Sequence, residues 1–228
     1  MVASIAFVIP VLNEQARIAP LLRELRSRFP ASELIVVDGG SSDLSVVRAM
    51  PLCDQLLLGK PGRATQMNLG GNSASADYLC FLHADSLPSV TAERFQAYLE
   101  RQPAWGFCRV SLSGRRPVFR VIAWGINLRS ALTRVATGDQ MLFVRRREFT
   151  CTGGFDAIPL MEDVAYSKRL RRLGRPLIVR EPVRTSSRRW EERGVVRTIL
   201  LMWGLRLAYF TGVSPDRLWR WYDGSPSR

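Results

Sequence analysis

Three times in its first 85 residues the chain runs through four or five apolar residues and then breaks into polar ones. Ile5-Ala6-Phe7-Val8-Ile9 is closed by Pro10 and followed by Asn13-Glu14; Leu34-Ile35-Val36-Val37 ends on Asp38-Gly39-Gly40; Tyr78-Leu79-Cys80-Phe81-Leu82 ends on His83-Ala84-Asp85. Runs this short, without polar alternation, read as strands covered on both faces. Between the first two, Ile18, Leu21, Leu22, Leu25 and Phe29 recur at helical spacing. Strand, helix, strand with so long a connection predicts parallel neighbours and a right-handed crossover. Parallel neighbours bring their carboxyl ends to one rim, which is where open α/β sheets bind ligands.

The remainder extends the same plan. Ser41-Ser42-Asp43 offers capping groups for a short helix reaching Arg48, and Gly59-Lys60-Pro61-Gly62-Arg63 is a basic turn before a helix over residues 64–73. Helices are predicted over 91–101 and 162–173, the second stopped by Gly174, with strands at 141–144 and 177–179 and a glycine-bearing loop at 151–156. No internal repeat or linker interrupts the pattern, so residues 1–228 read as a single α/β domain.

Charge divides the chain. Residues 1–100 hold 8 basic and 10 acidic side chains, whereas 101–228 hold 25 and 10, so the second half attracts an anion: a phosphorylated substrate, an anionic membrane surface or nucleic acid. No aromatic pattern of a nucleic-acid module is present, which disfavours the last. Residues 118–135 and 195–213 are apolar, tryptophan-bearing and cut by arginine, too short to span a bilayer. Arg120 and Arg129, like Arg197 and Arg206, are nine positions apart and fall on opposite helix faces, which fits a one-sided amphipathic helix poorly; ordinary core helices with snorkelling arginines are the other reading. Four scattered cysteines without a Cys-x-x-Cys pair, and an N-terminus lacking a basic region and a long apolar stretch, predict a cytoplasmic protein, with peripheral attachment to the inner face of the membrane as the extension the charge allows.

The rim residues suggest chemistry. Asp38 can accept a hydrogen bond from a base or ribose, Asp85 can hold Mn²⁺ or Mg²⁺ bridging phosphate oxygens, and Gly62-Arg63 can approach those phosphates. Asp85-Ser86 before Leu87-Pro88 also reads as turn chemistry. Glu162-Asp163 at a helix start serves either to complement the helix dipole or to supply a general base. Neither a Gly-x-Gly-x-x-Gly nor a P-loop follows the first strand.

In order and spacing, Ile9-Pro10-Val11-Leu12-Asn13-Glu14, Val36-Val37-Asp38-Gly39-Gly40-Ser41-Ser42-Asp43, Gly62-Arg63-Ala64 through Asn68-Leu69-Gly70, His83-Ala84-Asp85, Gly153-Gly154-Phe155 and Glu162-Asp163 resemble the motifs of a family 2 glycosyltransferase. The resemblance implies a GT-A fold, a mostly parallel Rossmann-like sheet flanked by helices, with a donor half at 1–100 and an acceptor half at 101–228. It implies inverting, metal-dependent transfer from a nucleoside-diphosphate sugar to an acceptor it does not name. By resemblance Pro10, Asn13, Glu14, Asp38, Gly62, Arg63 and Asn68 serve the donor nucleotide, Asp85 with His83 the metal, Gly153-Gly154-Phe155 the acceptor, and Asp163 with Glu162 catalysis. Arg188-Arg189-Trp190 resembles the diphosphate-binding Arg-Trp of the Gln-x-x-Arg-Trp motif. Two positions depart from the family. His83 stands where Asp-x-Asp has its first aspartate, leaving metal ligation, ribose or phosphate contact, and packing all open to it. Ser186 stands where processive members carry glutamine, which points to non-processive transfer. The rival classes are a nucleotidyltransferase, which would carry a basic glycine-rich loop where Asn13-Glu14 stands, and a non-enzymatic basic protein that docks on membrane or nucleic acid.

Overall fold

The computed structural model describes residues 2–223, apart from the side chains of Arg189, Arg193 and Asp223. Its sheet has eight strands in chain order: β1 (Ile5–Val11), β2 (Glu33–Asp38), β3 (Gln55–Leu58), β4 (Tyr78–Phe81), β5 (Ser86–Pro88), β6 (Trp105–Leu112), β7 (Leu142–Arg145) and β8 (Leu177–Thr185). They lie in the order β3-β2-β1-β4-β7-β6-β8-β5. The first four pair in parallel, as the apolar runs require. β7 is antiparallel to both neighbours, which turns β6 and β8 back into the direction of β1. The GT-A expectation therefore holds, with β7 and the short edge strand β5 reversed within a mostly parallel sheet.

Helices cover both faces. On one, α1 (Ile18–Arg28) and α4 (Ala92–Leu99) pack Leu22, Leu25 and Phe95 onto Phe7, Ile9 and Phe143. On the other, α3 (Arg63–Ser73), α6 (Arg146–Thr152) and α7 (Glu162–Leu170) bring Met67, Phe149 and Tyr166 onto Val8, Ile35 and Phe81. The alternation of Phe7 and Val8 to opposite faces, both wholly buried, is the period-two geometry of a strand covered on both sides. α2 (Ser45–Ala49) is the predicted short helix after β2. α5 (Pro117–Thr133), α8 (Arg188–Arg193), α9 (Val195–Phe210) and α10 (Pro215–Asp223) complete the second half, and none is long and apolar enough to cross a membrane.

The structure adds four elements that the sequence pattern hides. β3 is a four-residue edge strand with no fully buried side chain, and β6 carries Gly106 and Arg109 in an otherwise apolar run. β5 occupies Ser86–Pro88, where turn chemistry was expected; its Pro88 sits at the sheet edge, where a missing N–H is tolerated. The short α6 follows β7 directly. β8 runs six residues beyond the predicted stretch because a bulge opposite Cys108 and Arg109 lets it continue to Thr185.

Gly106 is fixed by packing: a Cβ there would stand 2.2 Å from the Leu177 carbonyl oxygen and 2.3 Å from the Phe143 ring. Gly125, in the middle of α5, faces open space. Gly106→Ala should therefore lower stability by about 3 kcal/mol through overpacking. Gly125→Ala should raise it by about 0.5–1 kcal/mol through helix propensity. Urea unfolding of the two variants checks both signs.

Candidate active site

The rim is assembled by hydrogen bonds between loops. After β1, Asn13 takes a left-handed conformation (φ 55°); its N–H donates to Ser41 Oγ at 2.9 Å and its Oδ1 accepts from the Ser42 N–H at 2.9 Å. The Glu14 N–H donates to Ser45 Oγ at 2.8 Å, while the Glu14 carboxylate pairs with Arg17. Asn13 and Glu14, expected to meet the donor nucleotide, thus join the loops that flank Asp38. Asp43 accepts from the Ser45 N–H at 2.9 Å and so supplies the predicted cap, although Leu44 occupies the N-cap position of α2. Beneath them Gln66 Nε2 donates to the carbonyls of Val11 and Val37, tying α3 to the ends of β1 and β2, and Pro10 is buried within β1.

Asp38 is the outstanding polar group of this corner. Its Oδ2 accepts from the N–H groups of Gly40 (2.8 Å) and Ser41 (2.9 Å), and its Oδ1 is buried with no partner. A buried acceptor without a donor is costly in an isolated fold, of order 1–3 kcal/mol, and marks where a ligand donor belongs. Gly62 (φ 129°) starts α3 and presents Arg63 at its first turn, with the guanidinium 3.5 Å from the Glu162 carboxylate.

Across the rim, Glu162 and Asp163 open α7. The preceding residue, Met161, is buried in a left-handed conformation (φ 69°), unusual for a bulky side chain. Asp163 is held at both oxygens: Oδ2 accepts from the Gly138 N–H at 2.7 Å and Oδ1 from its neighbour's N–H, Val164, at 2.7 Å. Both acids have raised pKa values. For Glu162 the cause is burial and then the charge of Asp163, with Arg63 and His83 pulling the other way. For Asp163 burial outweighs the two backbone hydrogen bonds and the pull of Arg63 and His83. Two adjacent carboxylates short of water resist double ionisation.

His83 packs closely on Gly138, where an added Cβ would sit 2.3 Å from Cε1, and its Nδ1 is 3.6 Å from Asp139 Oδ1. The turn Gly138–Gln140 is set by a capping box: Thr137 and Gln140 bond one another's backbone and side chain, and Ser130 of α5 donates to Gln140 Oε1 at 2.8 Å. Asp85 follows in the next turn, its Oδ1 accepting from Ser86 Oγ at 3.1 Å, and Ser86 is bonded in turn to Thr185 at the end of β8. α8 starts three residues after Thr185. Arg188 there is exposed and 3.8 Å from Glu192, Trp190 is half-buried, and the Arg189 side chain lies outside the described residues.

The acceptor loop is tied to α3. Gly153 and Gly154 both have positive φ, and a Cβ at Gly154 would collide with Asn68 Oδ1 at 2.4 Å. Asn68, expected to contact the nucleotide, uses both ends of its amide on the Phe155 backbone (2.8 and 2.7 Å) and so holds the loop at residues 153–155. Phe155 packs on Phe81 and Tyr166, and with His83, Gly138, Glu162 and Asp163 it bounds a small cavity of ≈ 10 Å³. A larger groove of ≈ 380 Å³ lies between α5 and the β6–β8 pair and is lined by Arg109, Asn127 and Arg180 among apolar side chains.

The sequence reading did not single out Gly138, Asp139 or the role of Arg129. Arg129 donates to Ser130 Oγ at 2.7 Å, feels the charges of Asp163 and Asp139, and keeps a buried Nε without a partner. The legible signal was Thr137-Gly138-Asp139-Gln140, a Thr-x-x-Gln capping pattern ahead of a strand.

The sequence pattern described as Glycosyl transferase family 2 matches residues 6–157, from β1 through the acceptor loop. The chain belongs to that family. No curated protein matches this family 2 chain by sequence. Its fold resembles Staphylococcus aureus TarS 1-349 in complex with UDP (TM-score 0.66, 14% identity, 80% of this chain and 60% of that one). It also resembles the mannosyltransferase PcManGT from Pyrobaculum calidifontis in complex with GDP-Man and Mn2+ (0.59, 18%, 80% and 56%). A third likeness is to glucosyl-3-phosphoglycerate synthase from Mycobacterium tuberculosis in complex with Mg2+ and UDP (0.56, 17%, 81% and 70%). This family 2 glycosyltransferase thus shares the GT-A fold with all three and spans about 60% of the TarS fragment.

Because burial and mutual charge raise both acids, the Glu162–Asp163 pair should release its protons above the ordinary carboxylate range near ~4. Carboxyl carbon NMR over a pH series checks this. A pair already fully ionised at the ordinary carboxylate pKa would contradict a desolvated site.

Proposed function

We propose that the protein transfers a sugar from a nucleoside-diphosphate sugar to an acceptor hydroxyl with inversion, one sugar at a time. The observation that carries the reading is Asp163: a carboxylate pinned by two backbone N–H groups and biased toward accepting a proton by burial. Asp163 takes the acceptor proton as the acceptor oxygen bonds to the anomeric carbon. The bond from that carbon to the diphosphate breaks on the opposite side, and its electron pair leaves with the nucleoside diphosphate. Glu162, beside Asp163 and 3.5 Å from Arg63, helps set the charge there.

The unpartnered Oδ1 of Asp38 accepts a donor N–H or O–H from the nucleotide, and Gly62-Arg63 with Arg188 faces the diphosphate. The described residues contain no cluster of three metal-ligating side chains, so the protein alone forms no cage for a cation. Asp85 nevertheless fits the family's Mn²⁺ or Mg²⁺. It is a hard oxygen ligand with one oxygen bonded to Ser86, and such ions are commonly held by one or two carboxylates together with substrate phosphates. His83 is the neighbouring candidate ligand. When bound, the cation neutralises charge on the departing diphosphate. An acceptor carried at a membrane belongs to this reading, supported by the apolar, basic helices of the second half. TarS, PcManGT and the synthase are described with UDP or GDP-Man, which supports a nucleotide-sugar donor here.

Asp163→Asn should cut turnover about 10²- to 10⁴-fold, the usual loss of a general base, and leave nucleotide affinity nearly unchanged. A screen of nucleotide sugars for donor cleavage, with calorimetry of UDP and GDP with and without Mn²⁺, checks this. Donor binding lost in Asp163→Asn would move Asp163 from the acceptor to the donor. Absence of both nucleotide binding and donor cleavage would overturn the reading.

A further inference from the structure

The two apolar segments of the second half become surface features in the fold. On α9, Val196, Leu200, Trp203, Leu207 and Phe210 are each 60–73% exposed. Their spacing of four, three, four and three places them on one stripe, within an arc of about 80° at 3.6 residues per turn, running about 21 Å along the helix. Thr198 and Leu205 point the other way and are buried. Leu205 packs with Leu218 of α10 over Met161 and Val164, beside the catalytic acids. The stripe is therefore the free face of a helix whose other face is already seated.

Arginine frames this stripe. Arg197 and Arg206 do fall on opposite sides of α9, and that same geometry puts one on each flank of the stripe, roughly 80–100° from its centre. This corrects the sequence argument against an amphipathic helix: the arginines bound the apolar face instead of interrupting it. α9 contains no acidic residue. On α5, Val121, Trp124, Leu128 and Leu132 form a second exposed stripe. α5 and α8, the helix that leads into α9, follow one junction, where the Ser113 N–H donates to the Thr185 carbonyl and the Ser187 N–H to Ser113 Oγ. On α10, Trp219 and Trp221 are exposed beside Arg217 and Arg220.

We infer that the outward stripe of α9, with the α5 stripe and the α10 tryptophans, is a docking surface for an anionic phospholipid bilayer. An apolar centre, tryptophans and flanking arginines match the acyl boundary and headgroup layer of an interfacial helix, and stable attachment needs both apolar insertion and charge attraction. A second copy of the chain matches less well. A two-fold contact between stripes would bring the flanking arginines of one copy beside those of the other, with no acid on α9 to meet them. The inference deepens the membrane-acceptor part of the function proposed above. Its test is read on binding instead of turnover, so either can fail alone.

The experiment is sedimentation of the whole protein with vesicles of phosphatidylcholine, with and without phosphatidylglycerol, at low and high salt, alongside the variant Leu200→Ser/Trp203→Ser/Leu207→Ser. The altered side chains are exposed, and circular dichroism together with unchanged nucleotide affinity verifies that the variant is folded. The protein should sediment with anionic vesicles, be released by salt, and bind at least about tenfold more weakly as the variant, a change of about 1.4 kcal/mol. Equal retention of variant and parent, equal retention on neutral vesicles, or no retention at low salt would overturn it. So would a dimer in solution that the variant dissolves without any vesicle binding.

Discussion

The hydrogen bond from the Gly138 N–H to Asp163 Oδ2 fixes the acid pair within the second half, at the point where His83 of the first half packs against it. Gly138 belongs to the turn that leads into the reversed strand β7, Asp163 to the first turn of α7, and His83, just after β4, packs against the same glycine. Three elements from distant parts of the chain meet at one peptide group. That contact needs a residue with no Cβ, a buried carboxylate kept from water and a turn locked by Thr137 and Gln140. Asp163 is consequently presented with both oxygens fixed, and burial raises its proton affinity.

The rest of the site is organised around a division of labour. On the donor side, loop residues that look like ligands in the sequence, Asn13, Glu14 and Asn68, use their polar atoms to fix loops. Asp38, by contrast, keeps a buried oxygen without a partner. On the acceptor side, Gly153 and Gly154 bend the chain so that Phe155 closes the small cavity beneath the acids. Above them α9 and α10 roof α7 through Leu205 and Leu218 and turn an apolar, arginine-flanked face outward.

What could be read without coordinates follows from physics. The strands β1, β2 and β4 are legible because burial on both faces writes an unbroken apolar run, and their polar ends identify the rim. β3 and β6 were missed because an edge strand is half-exposed and because Gly106 and Arg109 break the run. Glu162 and Asp163 were recognised by resemblance, since their significance lies in desolvation and in contact with Gly138, twenty-five residues away. Arg129 was invisible as a site residue for the same reason: helical spacing shows a face but not what that face meets. On α9 the spacing of the arginines was read correctly, and only the exposed stripe between them gave it meaning.

The central claim is that a pinned, desolvated Asp163 acts directly on the acceptor oxygen in a single displacement. The most direct measurement is the anomeric configuration of the first-formed product, read by proton NMR during turnover with the donor that the protein cleaves. A single displacement predicts a product of configuration opposite to that of the donor sugar. A product that keeps the donor's configuration would contradict the assignment of Asp163 as a base acting in one step.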